Sequence, residues 1–196
     1  MIKVKHAEGG TILTHEQPSQ FFVACLNTQI SEVFALPMAS ADKTLLFKRS
    51  QFATRLPLDC VHNPSHFWAR QGDNSVWRVG FTKFATRMLG DMVDHDFEAT
   101  PGTAIEPGQI LGWVEGFKAI SDVYSFCSGE FVGRNSALQE KISLIHKSPY
   151  EEGWLYEMTG KPDDKCVDAE GYAAILNQTI DKMLEQQQAQ ENEANE

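Results

Sequence analysis

One lysine stands where an amine can be modified. Lys118 lies midway through Val114-Glu115-Gly116-Phe117-Lys118-Ala119-Ile120-Ser121-Asp122-Val123-Tyr124-Ser125. Apolar runs flank it at Ile110 to Val114 and Val123 to Phe126, with a polar stretch, Glu115–Asp122, between them. Two strands around a polar tip place the amine at the end of a hairpin, open to a modifying enzyme. Other reactive residues offer less. The histidines His6, His15, His62, His66, His95 and His146 show no ligand spacing. His62 and His66 stand four apart, but Asn63-Pro64-Ser65 breaks any helix between them. Asp94, His95 and Asp96 read as a solvated strand end rather than a metal site. Cys25, Cys60, Cys127 and Cys166 match no zinc or redox pattern, and no C-x-x-C occurs. Cys127 falls in a strand-like run and reads as a small buried apolar residue. There is no G-x-S-x-G, no P-loop and no G-x-G-x-x-G in the right context.

The elements that must position Lys118 are legible from residue 61 onward. Trp77 to Phe81 alternates as a half-covered strand does. Thr82 can cap a short helix, Lys83 to Leu89, which Gly90 can end. Asp91 to Phe97 is extended. Pro101-Gly102 and Pro107-Gly108 mark turns. Many short strands with close turn signals indicate a small β-sandwich or barrel. Trp68, Trp77, Trp113 and Trp154 read as core or half-buried anchors. Asp168 can cap a terminal helix in which Tyr172, Ile175, Leu176, Ile180, Met183 and Leu184 share one face. Beyond Leu184 no residue can anchor a core, so residues 186–196 read as an acidic disordered tail. Residues 1–60 hold short apolar runs, Phe21–Leu26, Val33–Leu36 and Leu45–Phe47, whose fold periodicity cannot decide. Phe52-Ala53-Thr54-Arg55 recurs as Phe84-Ala85-Thr86-Arg87, a match too short for a structural repeat.

The chain has 196 residues, 42% hydrophobic and 22% charged, enough to bury a core. No apolar stretch approaches the roughly 20 residues of a membrane helix. The net charge of −10 argues against a nucleic-acid partner. Acidity grows along the chain. Residues 1–60 carry a net of +1, residues 61–160 a net of −5 and residues 161–196 a net of −6. The cysteine usage and the absence of an apolar leader point to a reduced, cytoplasmic setting.

The hairpin segment resembles the lipoyl-attachment motif of the glycine cleavage system H protein family, Glu-Ser-Val-Lys-Ala-Ala-Ser-Asp-Ile-Tyr. Glu115, Lys118, Ala119, Ser121, Asp122 and Tyr124 are identical to it. Gly116, Phe117, Ile120 and Val123 depart from it. His66-Phe67-Trp68 resembles the family's His-Glu-Trp, with Phe67 in place of Glu. Val79-Gly80-Phe81-Thr82, Ala85 and Leu89-Gly90-Asp91 follow in family order. Ser128-Gly129-Glu130, Asn135 with Ala137-Leu138, Pro149-Tyr150, Gly153-Trp154-Leu155 and the helix from Tyr172 continue it. The resemblance covers about residues 61–185, leaving residues 1–60 as an extension.

The resemblance implies a mainly β fold with flanking helices: a lipoyl/biotinyl-type β-sandwich, or barrel-sandwich hybrid. It implies lipoate in amide linkage to Lys118, with Glu115 and Gly129 contributing to recognition by a lipoyl ligase or transferase. Gly129 is expected to permit a turn bringing the opposite strand beside the attachment hairpin. The implied activity is a non-catalytic, monomeric carrier that takes an aminomethyl group from glycine decarboxylase to aminomethyltransferase and is reoxidised by dihydrolipoyl dehydrogenase. A biotin carrier would place methionines beside the lysine. A 2-oxoacid dehydrogenase lipoyl domain would carry Asp-Lys-Ala. Two other readings stay open: an H-like lipoate protein of another pathway, such as bacterial sulfur oxidation, and a scaffold whose first 60 residues bind a partner.

Overall fold

Eleven short strands and four helices follow one another over residues 43–194, the part of the chain that the structure, a computed structural model, describes. The runs Phe21–Leu26 and Val33–Leu36, and Cys25, His6 and His15, lie outside the described residues. β1 (Thr44–Arg49) and β2 (Phe52–Pro57) form an antiparallel hairpin that turns through Ser50 and Gln51. β3 (Cys60–His62), β4 (Phe67–Gln71) and β5 (Val76–Phe81) lead into α1 (Lys83–Leu89). Then come β6 (Met92–Phe97), β7 (Ala104–Ile105), β8 (Ile110–Gly116), β9 (Ile120–Tyr124) and β10 (Cys127–Arg134). Two single-turn helices, α2 (Ala137–Glu140) and α3 (Leu144–Lys147), precede β11 (Tyr156–Pro162) and the long α4 (Ala169–Ala194).

The strands sort into a six-stranded sheet, β3-β4-β5-β11-β10-β7, and a three-stranded sheet, β6-β8-β9, besides the β1–β2 pair. Side chains of both larger sheets meet in one core: Phe67, Val79 and Phe131 from the six-stranded sheet, Leu111, Val114 and Val123 from the smaller one. This is the expected β-sandwich. β4 and β5 contribute alternate residues to the interior, Phe67 with Ala69 and Val79 with Phe81, as the pleat requires. Trp68 is buried and its indole N–H donates to the carbonyls of Phe81 and Pro149, at 3.0 and 2.9 Å. Cys127 is fully buried, as its setting in a strand-like run indicates.

A second core lies outside the sandwich. Phe47, Phe52 and Leu56 of the hairpin pack with Phe84 of α1 and with Ala169, Tyr172, Leu176 and Ile180 of α4. This core spans the expected boundary at residue 60. The hairpin at 44–57 shares a core with elements on the far side of that boundary, and burial of its apolar face on α4 is the reason. The helix also runs into the expected tail. Glu185 to Ala194 continues α4 as helix instead of ending in disorder. Glu, Gln and Ala dominate that stretch, and none of them breaks a helix. The two Phe-Ala-Thr-Arg segments adopt different structures, strand in β2 and helix in α1. They are not a repeat, but Phe52 and Phe84 meet edge to face at 5.5 Å.

α1 is anchored at both ends. Thr82 caps it, its hydroxyl accepting from the Ala85 amide at 3.4 Å, and Gly90 ends it at φ 81°. α4 starts where the Asp168 carboxylate accepts from the Gly171 amide at 2.8 Å. Tyr172 of α4 is tied to the cap of α1. Its hydroxyl lies 2.8 Å from Thr82 Oγ1 and 2.8 Å from His66 Nδ1.

Candidate functional site

The β8–β9 hairpin is tighter than its sequence suggests. β9 begins at Ile120, so the tip is Phe117–Ala119 rather than the whole of Glu115–Asp122. The runs of apolar residues mislead here because Ile120 and Asp122 face outward on a strand that is half solvated. The Gly116 amide donates to the Ala119 carbonyl at 2.9 Å and closes the turn. Lys118 stands exposed at its apex.

This turn does not float. The Phe117 amide donates to the Asp91 carbonyl and the Lys118 amide to the Leu89 carbonyl, each at 3.0 Å. The corner between α1 and β6 is therefore a platform on which the lysine's own backbone rests. The close seating depends on Gly116. A Cβ at that position would lie 2.3 Å from the Leu89 carbonyl oxygen, a distance no real side chain tolerates. Gly116 is a departure from the family motif, and here it has a packing role that the sequence alone did not reveal.

The outer face of the three-stranded sheet, next to the hairpin tip, carries several carboxylates. Asp94, Glu115 and Ile120 stand in one cross-strand row; Asp96, Trp113 and Asp122 stand in the next. Directly paired residues project from the same face. Glu115 therefore sits on the lysine's hairpin, half-buried, beside Asp94. Asp122 accepts a 2.8 Å hydrogen bond from the Tyr124 hydroxyl, which raises the Tyr124 pKa. Arg134 pairs with Asp96 at 3.3 Å. Phe117 and Ile120, next to these charges, project into solvent.

The other singled-out residues fall elsewhere. Gly129 lies within β10, in the six-stranded sheet, opposite Gly160. It does not form the expected turn. A Cβ there would meet the Thr159 carbonyl oxygen at 1.9 Å, so the glycine serves close strand approach. The structure thus brings Glu115, but not Gly129, onto the attachment hairpin. Asp94 and Asp96 are exposed, and among the described residues no group of three His, Cys, Asp or Glu could hold a metal. His62 and His66 flank Tyr172 between β3 and α4. The His62 ring stacks on the tyrosine at 4.8 Å. Burial holds both imidazoles neutral, pushing each pKa down to about 4. Desolvation likewise raises the thiols of Cys60, Cys127 and Cys166. None of these groups is poised as a nucleophile or a base.

Comparison with known proteins agrees with this geometry. The family described as "Glycine cleavage H-protein" matches residues 61–179. A glycine cleavage system H protein of Bacteroides fragilis is 41% identical over 127 residues, covering 62% of this chain and 97% of that protein. One from Corynebacterium jeikeium is 37% identical over 124 residues, with 62% and 97% covered. The crystal structure of a glycine cleavage system H protein from Mycobacterium marinum superposes with a TM-score of 0.55 at 30% identity. That superposition covers 61% of this chain and 97% of the other.

Proposed function

The chain belongs to the glycine cleavage H-protein family, and on that premise we propose that Lys118 is the residue that carries lipoate. The protein is a lipoyl carrier of glycine cleavage. The observation that supports Lys118 is its place: an exposed amine at the apex of a turn whose two apical amides are pinned to Leu89 and Asp91. A long acyl arm fits there, because the lysine is exposed while its backbone stays fixed. Glu115, on the same hairpin, is a recognition residue for the attaching enzyme. Lipoate on this amine supplies a dithiolane that accepts and hands on an aminomethyl group.

The chain's own contribution is presentation. The α1–β6 corner fixes where the arm starts, and the carboxylates of the outer sheet face set the charge a partner meets. A negative field steers positively charged partner surfaces and is screened over about 8–10 Å at physiological salt. The partners in this reading are glycine decarboxylase, aminomethyltransferase, dihydrolipoyl dehydrogenase and a lipoyl ligase or transferase. The protein acts as a monomeric, non-catalytic carrier in the cytoplasm. No helix among the described residues is long and apolar enough to cross a membrane. The carrier unit takes in the β1–β2 hairpin and all of α4.

The experiment is Lys118→Arg. Arginine keeps the charge but is not acylated. Wild-type protein from lipoate-supplied cells gains the mass of one lipoyl group and supports glycine-dependent carbon dioxide exchange with glycine decarboxylase. The variant does neither. Lipoylation that persists in Lys118→Arg refutes the assignment.

A further inference from the structure

We infer that Phe117 and Ile120, with Val93 near them, form an apolar collar that docks the enzyme attaching lipoate to Lys118; the inference rests on the carrier reading above. Phe117 is 79% exposed and Ile120 67% exposed, and Val93 is exposed too. Phe117 and Ile120 flank Lys118 on the turn, and Val93 lies at the β6–β8 register shift opposite Gly116 and Glu115. Single exposed apolar side chains are ordinary, but a cluster around a modification site marks a contact surface.

The exposure of Phe117 is built into the backbone. Its amide is held by Asp91 and its neighbour's by Leu89, so the main chain that carries the ring outward is fixed. An aromatic side chain held out in this way costs little ordering entropy on binding, and such residues commonly dominate interface energies. Around the collar stand Asp91, Asp94, Glu115 and Asp122. The complementary partner therefore presents an apolar cleft rimmed by Lys and Arg.

The attaching enzyme is the partner that must touch this surface. A bare lysine is short, so the enzyme has to press against the hairpin itself. Enzymes that act on the dithiolane meet the end of a much longer arm. In the attachment step the Lys118 Nζ forms an amide bond to the lipoyl carbonyl of an acyl adenylate. The adenylate leaves with the bonding electron pair, and Nζ gives up a proton.

The test measures acylation by the organism's own lipoate ligase, with lipoate and ATP, over a range of carrier concentrations, read by intact mass. Phe117→Ala and Ile120→Ala are compared with Leu46→Ala, which removes an equally exposed apolar side chain from β1. For Phe117→Ala the expected result is a KM for the carrier raised about tenfold or more with kcat little changed, and partial recovery in Phe117→Leu. Leu46→Ala should match the wild type. All four side-chain changes are at exposed sites, so unchanged melting temperatures check the fold. Wild-type KM in both collar variants, or an equal loss in Leu46→Ala, overturns the collar while leaving the carrier reading intact. Normal acylation with impaired decarboxylase exchange also overturns it. A wild-type chain that takes no lipoate overturns the carrier reading itself.

Discussion

Gly116→Ala tests whether the platform under Lys118 exists as described. The glycine's backbone does not lie in the left-handed region, so alanine suffers no conformational penalty. What it suffers is a collision. The new Cβ would sit 2.3 Å from the Leu89 carbonyl oxygen and 2.8 Å from the carbonyl carbon. Both atoms are main chain at a helix end and cannot swing aside like a side chain. The turn must lift instead, lengthening the Phe117–Asp91 and Lys118–Leu89 hydrogen bonds together. Each is worth about 0.5–1.5 kcal/mol net, so losing both costs about 1–3 kcal/mol. Alanine returns about 0.4–1 kcal/mol by restricting the unfolded chain. The expected net destabilisation is about 0.5–2 kcal/mol.

The assay has two parts. Urea denaturation gives the global change, and amide hydrogen exchange of Lys118 reports the local one. The Lys118 amide should exchange at least about tenfold faster in the variant, since its acceptor has withdrawn. Gly133→Ala serves as the control, because nothing lies within 4 Å of a Cβ at that position. It should be neutral by both measures. If Gly116→Ala matches wild type in stability and in Lys118 protection, the turn is not seated on Leu89 and the reasoning fails.

The second core and the buried histidines make their own predictions. Leu56 is fully buried between the hairpin and α4, so Leu56→Ala should cost about 2–5 kcal/mol in urea denaturation; a loss below about 1 kcal/mol would show that the hairpin does not pack there. His62 and His66 have folded pKa values depressed from 6.5 to about 4. Their neutral forms stabilise the fold fully above pH 6.5, and that contribution is lost as pH falls toward 4, by at most about 3 kcal/mol each. His62→Phe keeps the stack on Tyr172 and removes one of these protonations, so stability should fall less steeply between pH 7 and pH 5 than in wild type; an unchanged slope argues against a buried neutral His62.

Some of this architecture could be read from the sequence because local signals coincided. Thr82, the run Lys83 to Leu89 and Gly90 are a cap, a helix and a stop in succession, and the structure has all three. Lys118 at a hairpin tip follows from two apolar runs. Features set by distant contacts were not legible. β9 starts three residues earlier than its apolar run because Ile120 faces solvent and carries no burial signal. The function of Gly116 depends on a carbonyl 27 positions away. The hairpin at 44–57 alternates buried and exposed residues, but nothing local says that α4 covers it. The helical end of α4 was missed because a stretch without apolar anchors was equated with disorder, whereas helix propensity alone carries its residues onward from a docked helix.

The position of Lys118 is ultimately set by the second core. Phe47, Phe52 and Leu56 bury one side of α4, and Phe84 brings α1 into the same cluster. Tyr172 on α4 is hydrogen-bonded to Thr82, the residue that caps α1. Seven residues on, α1 ends at Leu89, whose carbonyl receives the Lys118 amide. A short helix of seven residues is not stable alone in water. Its direction, and with it the placement of Leu89, must come from packing at its start and along its buried face. The β1–β2 hairpin and α4 supply that packing, although neither touches the attachment turn through any described hydrogen bond. The residues that precede the family match thus have a physical reason to matter for presentation of the lysine: they help hold the helix whose last carbonyl the lysine rests on.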